Sequence, residues 1–208
     1  GTVSGMELAL SKYGTKKRAE VIAPAIKLAE NGFPLEQGAI DLLHTATDEF
    51  KADKELTPIF LNKGQPMQVG DKLVQKDLAK TLREISAKGT DGFYKGWVAK
   101  AIVDSSKAGK GIIVQADLDK YKTRELAPIE CDYRGYHVVS APPPSSGGVV
   151  ICEIMNILEG YPMKELGFHS AQGMHYQIEA MRHAYVDRNS YLGDPDFVKN
   201  PIAHLLDR

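Results

Sequence analysis

The sequence predicts a mainly α-helical fold with one small β-hairpin, an α+β arrangement, on three observations. Apolar residues recur at helical spacing through most of the 208 residues. The period switches to alternation between Ile129 and Ser140. Glycine or proline punctuates the chain near most of the expected boundaries.

The elements follow in order. Ser4 is positioned to cap a short helix in which Met6, Leu10 and Tyr13 share a face, ended by Gly14. A second helix spans about Arg18 to Asn31, with Val21, Ala25 and Leu28 inward, Pro24 as a kink or first turn, and Gly32 as its stop. Ala39, Leu42, Leu43, Ala46 and Phe50 mark a third. Residues 58–74, PIFLNKGQPMQVGDKLV, break the period and read as an irregular loop or hairpin. Leu78, Leu82 and Ile85 then define a helix closed by Gly89, and Phe93, Trp97, Ala101 and Ile102 define the next, where Gly96 permits close packing. Ile129, Cys131 and Tyr133 alternate, Arg134-Gly135 makes a tight connection, and Tyr136, Val138 and Ser140 alternate again, which describes the hairpin. Val149 to Glu159 is apolar almost all round and so is expected to be central. Ser170 caps a long last helix in which Met174, Ile178, Met181 and Tyr185 point one way. The chain therefore parses as a helix-rich part (1–123) with an insert near 58–74, a hairpin with a proline-rich exit (124–144), and a second helical part (145–208). It begins without methionine and stops just after Asn200-Pro201-Ile202 announces a new helix, which suggests an excised domain or a processed subunit.

Composition excludes several classes. Hydrophobic residues are 43%, charged residues 25% and the net charge is −1, so the chain is globular and lacks the basic footprint of a nucleic-acid binder. No apolar run reaches the roughly 20 residues of a membrane-spanning helix, and no membrane insertion is expected in this segment. The two cysteines, Cys131 and Cys152, lack the spacing of a zinc or CxxC site. They are expected to be free, buried small hydrophobes, although a disulfide depends on geometry that sequence does not supply.

The stretch APPPSSGGVV, from Ala141 to Val150, is the strongest candidate for a site. It leads Ser145, Ser146, Gly147 and Gly148 into the start of a helix, where backbone N–H groups, two hydroxyls and the positive end of a dipole converge. Two readings stay open: the serines cap the helix while the glycines allow a tight turn, or the four residues contact an anion or substrate. The serine order does not match a GxSxG nucleophile elbow. His175, Glu179, His183 and Asp187 stand four apart, but that spacing equally gives surface i,i+4 pairs, and no metal site is assigned. Glycine-rich phosphate loops of the required spacing are absent, and no cofactor is implied.

A family resemblance rests on the segments GTVSGMELALSKYGT, APAIKLAENGF, DGFYKGWVAKAI, GIIVQADLDKY, CDYRGYHVVSAPPPSSGG and AYVDRNSYLGDPDFV. In this order the chain resembles the large subunit of gamma-glutamyltranspeptidases over essentially its whole length. The resemblance implies the central helical portion of the large subunit of an N-terminal-nucleophile hydrolase, packed outside the catalytic sandwich. In that family a precursor cleaves itself to free a threonine at the start of a small subunit, and this threonine is the nucleophile. Its Thr-Thr-His segment lies downstream of the matched region, and no Thr-Thr pair occurs here. The arginine expected to hold the substrate α-carboxylate lies before Gly1. The resemblance therefore assigns no catalytic residue to this chain. It implies the remainder of the large subunit and the small catalytic subunit as partners, a glutathione-like substrate for the whole enzyme, and a periplasmic or secreted location. Ser145, Ser146, Gly147 and Gly148 remain the substrate-binding candidates, and Asp187, Arg188 and Asp194 a structural network. The alternatives are an acylase of the same family removing glutaryl-type groups, or a helical module that binds on its own.

Overall fold

The computed structural model of the chain describes residues 1–207, and these fall into two units that divide between Thr123 and Arg124. The first unit runs α1 (Thr2–Tyr13), α2 (Arg18–Asn31), β1 (Phe33–Pro34), α3 (Gln37–His44), α4 (Thr47–Ala52), α5 (Thr57–Phe60), β2 (Leu61–Asn62), β3 (Gln65–Pro66), β4 (Lys72–Leu73), α6 (Lys76–Lys88), α7 (Asp91–Tyr94), α8 (Gly96–Ala108) and α9 (Gln115–Lys120). Helices α2 and α6 pack side by side, and Arg18 at the start of α2 ties them to α1. Its guanidinium lies 2.6 Å from Glu7 and donates to the Ser86 carbonyl at 3.2 Å. A small core of Leu35, Ile40 and Met67, flanked by Leu43 and Leu73, holds the insert against α3.

Periodicity identifies these helices but not all of their ends. Helix α1 starts at Thr2 with Gly1 at its N-cap, so Ser4 lies inside it and accepts a 2.6 Å hydrogen bond from the Thr123 hydroxyl. The expected third helix is broken at Thr45-Ala46 into α3 and α4. The hydroxyls of Thr45 and Thr47 bond back to the carbonyls of Leu42 and His44, offering the backbone an alternative to the helical ladder. The break between α7 and α8 falls at Lys95-Gly96. Gly96 has φ +66° and open space where a Cβ would lie, so it serves a turn and not a close contact. The insert is more ordered than a loop: β2 and β3 form a minimal hairpin, and β4 returns antiparallel to β1, pairing Leu73 with Phe33.

The second unit holds the candidate site. It contains β5 (Ile129–Tyr133), β6 (Tyr136–Ser140), α10 (Gly147–Glu159), α11 (Ala171–Tyr191) and α12 (Ile202–Leu205). The hairpin turns on Arg134 (φ +50°) and Gly135 (φ +85°), both in the left-handed region that a two-residue turn requires, with Tyr133 opposite Tyr136. Helix α10 packs against both strands, α11 and α12, and its Val149 and Cys152 are fully buried.

Two expectations are corrected here. Cys131 and Cys152 are not free: they form a disulfide with a Cα–Cα distance of 5.9 Å. The hairpin lays β5 along α10, a tertiary juxtaposition invisible to the local pattern around either residue. Val21, Ala25 and Leu28 do not face inward on α2: all three are exposed, and Ala29 is the buried residue of that helix. On α11 the Met174, Ile178, Met181 and Tyr185 stripe is exposed in this chain. The buried residues of α11 are Gly173, Ala180 and Ala184, whose small size lets the helix lie close to its neighbour. No helix among the described residues is long and apolar enough to cross a membrane.

Candidate functional site

The strap from Ala141 to Ser146 connects the end of β6 to the start of α10. Its Pro143-Pro144 peptide is cis, and the Ser145 amide donates to the Pro142 carbonyl at 3.1 Å, which closes a turn before the helix. The two serines have different tasks. Ser145 Oγ accepts a long 3.4 Å bond from the Gly147 amide. Ser146 is the N-cap residue, yet its hydroxyl makes no cap bond and accepts from Arg188 Nε at 3.0 Å. Its carbonyl accepts the first helical bond, from the Val150 amide at 3.0 Å.

The two glycines differ equally. Gly147 is exposed, and a Cβ on it would meet only Ser145 Oγ at 3.6 Å. Gly148 is buried against the hairpin, where a Cβ would stand 2.5 Å from the Ala141 carbonyl oxygen and 3.1 Å from Ile129 Cβ. Contacts below 3.0 Å require something to move, so only glycine fits this crossing as built.

Residues 143–146 on one side and Arg188, Asn189, Leu192 and Gly193 on the other enclose a polar cleft of about 170 Å3. Arg188 is the charged group in its lining, and its Nη1 also donates to Asn189 Oδ1 at 2.7 Å. A guanidinium, two hydroxyls and an amide can hold an oxygen-rich group. Both hydroxyls accept hydrogen bonds here, Ser145 from the Gly147 amide and Ser146 from Arg188.

The structure separates the three residues of the expected network. Arg188 takes Ser146. Asp187, half-buried, turns to α10 and is in hydrogen-bonding contact with Glu153. Asp194 organises its own turn: its carboxylate accepts from the Asp196 amide at 2.9 Å and its carbonyl from Phe197 and Val198. Asn200, expected to cap the last helix, instead clamps Gly193 through both its amide oxygen and nitrogen, at 2.9 and 3.0 Å. Within the ladder of four, Glu179 pairs with Arg182 at 2.5 Å. Among the described residues no group of three or more histidine, cysteine or acidic side chains is arranged to hold a metal.

Glu153 is the residue that sequence reasoning missed. It is 8% exposed, the one charged residue in the core among the described residues, and burial pushes its carboxyl up to about 7, with the Asp187 bond and charge adding to the shift. The available signal was its position: a glutamate inside VVICEIMNI, the most apolar helix of the chain.

A family model for gamma-glutamyltranspeptidase matches residues 1–208. A glutathione hydrolase proenzyme from Pseudomonas sp. (strain A14) is 77% identical over 209 aligned residues, covering 100% of this chain and 36% of that protein. An acylase proenzyme from Pseudomonas sp. (strain SE83) is 41% identical over 208 residues, covering 100% and 37%. The crystal structure of Helicobacter pylori gamma-glutamyltranspeptidase matches with a TM-score of 0.96 at 44% identity, covering 100% of this chain and 60% of that one. The chain thus spans about a third of the length of these curated relatives.

Proposed function

Since the chain belongs to the gamma-glutamyltranspeptidase family, we propose that it is the noncatalytic central portion of that enzyme's large subunit. The whole enzyme would transfer or hydrolyse the γ-glutamyl group of glutathione and related amides. An N-terminal threonine on the small subunit would attack the γ-carbonyl, expel the amine and form an acyl-enzyme, which water or an amino acid then resolves. One observation carries the assignment of a supporting role: the family model matches all 208 residues of this chain, and they contain no Thr-Thr pair. The pairing of both strap serines with donors agrees with it.

The strap then acts as scaffold, delivering the hairpin into α10 along a path fixed by proline, by Gly148 and by Arg188. Its partners would be the remainder of the large subunit and the small subunit. The Cys131–Cys152 disulfide supports a periplasmic or secreted location, since such bonds persist in oxidising compartments.

The deciding experiment compares γ-glutamyl release from a chromogenic γ-glutamyl anilide by the 208-residue chain and by the full-length gene product. Activity in the full-length product alone is expected. Turnover by the chain itself would remove the scaffold reading and make Ser145 and Ser146 the first residues to replace. The acylase relative favours a second reading, hydrolysis of glutaryl-type amides. Parallel assays of the full-length product on a γ-glutamyl and a glutaryl amide separate the two.

A further inference from the structure

We propose that Glu153 and Asp187 share a single proton across the α10–α11 interface, making that contact a pH-sensitive latch beside the strap. The geometry carries the proposal. Glu153 is more than nine-tenths buried on α10, directly after Cys152, whose disulfide fixes the helix to the hairpin. Asp187 stands three residues after the buried Ala184 on α11, on the side that meets α10, and its carboxyl contacts that of Glu153. Two ionised carboxylates in such contact repel. One proton converts the repulsion into an O–H donated by Glu153 to the Asp187 carboxylate.

Burial and the Asp187 carboxyl are what shift Glu153, and the charged groups around α10 have partners of their own or lie in solvent. On the strands packed against α10, Glu130, Asp132 and His137 are exposed and interact with one another. Arg134 is committed to the carbonyls of Leu158 and Tyr161, at the far end of α10. On α12, His204 is exposed. On α11, Arg182 pairs with Glu179 and Arg188 reaches Ser146. Arg188 directly follows Asp187, so displacement of Asp187 by the ionised pair strains the hold of α11 on the strap.

The sign of the pH dependence follows. The folded carboxyl titrates near 7, above its ordinary 4.5, so the folded state binds the proton more tightly than the unfolded chain. The stabilisation is complete below pH 4.5 and is lost as the pH rises to about 7. Its ceiling is about a tenfold fall in the folding constant per pH unit within that window.

The test is urea unfolding of the full chain across that window, for the wild type and for Glu153→Gln, whose amide donates the same bond at every pH. The wild type is expected to lose stability relative to Glu153→Gln as pH rises, with the difference flat outside the window. Parallel curves for the two proteins would overturn the proposal. Should Glu153→Gln not fold, the 13C carboxyl resonance of Glu153 in the wild type decides: a midpoint near 7 supports the shared proton, and a midpoint near 4.5 eliminates it. In Asp187→Asn the midpoint is expected to fall but to stay above 4.5, because burial is the larger cause.

Discussion

The Cα of Gly148 sits so close to the end of β6 that a Cβ there would lie 2.5 Å from the carbonyl oxygen of Ala141. Helix α10 and the hairpin exit therefore cross at a point where only hydrogen fits. Gly148→Ala is expected to force the two backbones apart at a cost of about 1–3 kcal/mol, the usual range for overpacking a tight site. Gly147→Ala is the control. Its Cβ would meet only Ser145 Oγ at 3.6 Å, and alanine's helix propensity makes the change neutral or stabilising by up to about 1 kcal/mol. Chemical denaturation of the two variants checks the contrast, and equal effects would show that the crossing does not constrain the helix.

The Cys131–Cys152 disulfide closes a loop with a sequence separation of 21 around the second strand and the strap. Cross-linking a loop of that size removes unfolded-state entropy worth about 3 kcal/mol in the chain-entropy account. The double change Cys131→Ser with Cys152→Ala, or reduction by dithiothreitol, is expected to lower stability by about that amount. Denaturation with and without reductant measures it, and an unchanged midpoint in the oxidised and reduced protein would show that the bond contributes no net stability.

Features decided within a few residues were legible in the sequence, and features decided by what lands opposite were not. The mainly helical character and the Arg134-Gly135 turn follow from local period and turn chemistry, and both are present. The pairing of Cys131 with Cys152 depends on how the hairpin lies on α10. On α11 the periodicity shows that the apolar residues share a face but not what covers it: Gly173, Ala180 and Ala184 allow the closer approach and are the buried residues. At the site, the close approach at Gly148 was readable from the Gly-Gly pair, whereas the Arg188 bond to Ser146 joins residues 42 apart. Glu153 could be noticed in an apolar helix, but its partner Asp187 is supplied only by the packing of α11.

Arg134 joins the two ends of the second unit's core. Its guanidinium donates to the Tyr161 carbonyl at 2.5 Å and the Leu158 carbonyl at 3.2 Å, adding a charged donor to oxygens at and just beyond the end of α10 that also accept from the Met163 and Tyr161 amides. Arg134→Asn isolates this contribution, because asparagine tolerates the left-handed φ of the turn. A loss of about 1 kcal/mol is expected, typical of a hydrogen bond to an accessible charged donor. Arg134→Gly, which relaxes the turn further, should lose slightly less. A variant as stable as the wild type would assign the hairpin's attachment to the disulfide and apolar packing alone.

His137 lies on the exposed face of the hairpin between two carboxylates, with Nδ1 at 2.9 Å from Asp132 and Nε2 at 3.3 Å from Glu130. The Asp132 bond is the main reason its imidazolium holds the proton above the ordinary 6.5, with the charges of Asp132 and Glu130 adding to it. A raised folded-state value gives a contribution to stability that is fully present below about 6.5 and lost as the pH rises through the folded value. NMR titration of the His137 ring is expected to place its midpoint above 6.5 in the wild type and closer to 6.5 in Asp132→Asn, where the strongest acceptor is neutralised. Glu130→Gln should move it less, since Glu130 acts mainly through charge at longer range. The ordering of the two shifts is the diagnostic: a larger effect from Glu130→Gln would mean that the ring is held by its Nε2 side and that the cross-strand contact with Asp132 does not persist in solution.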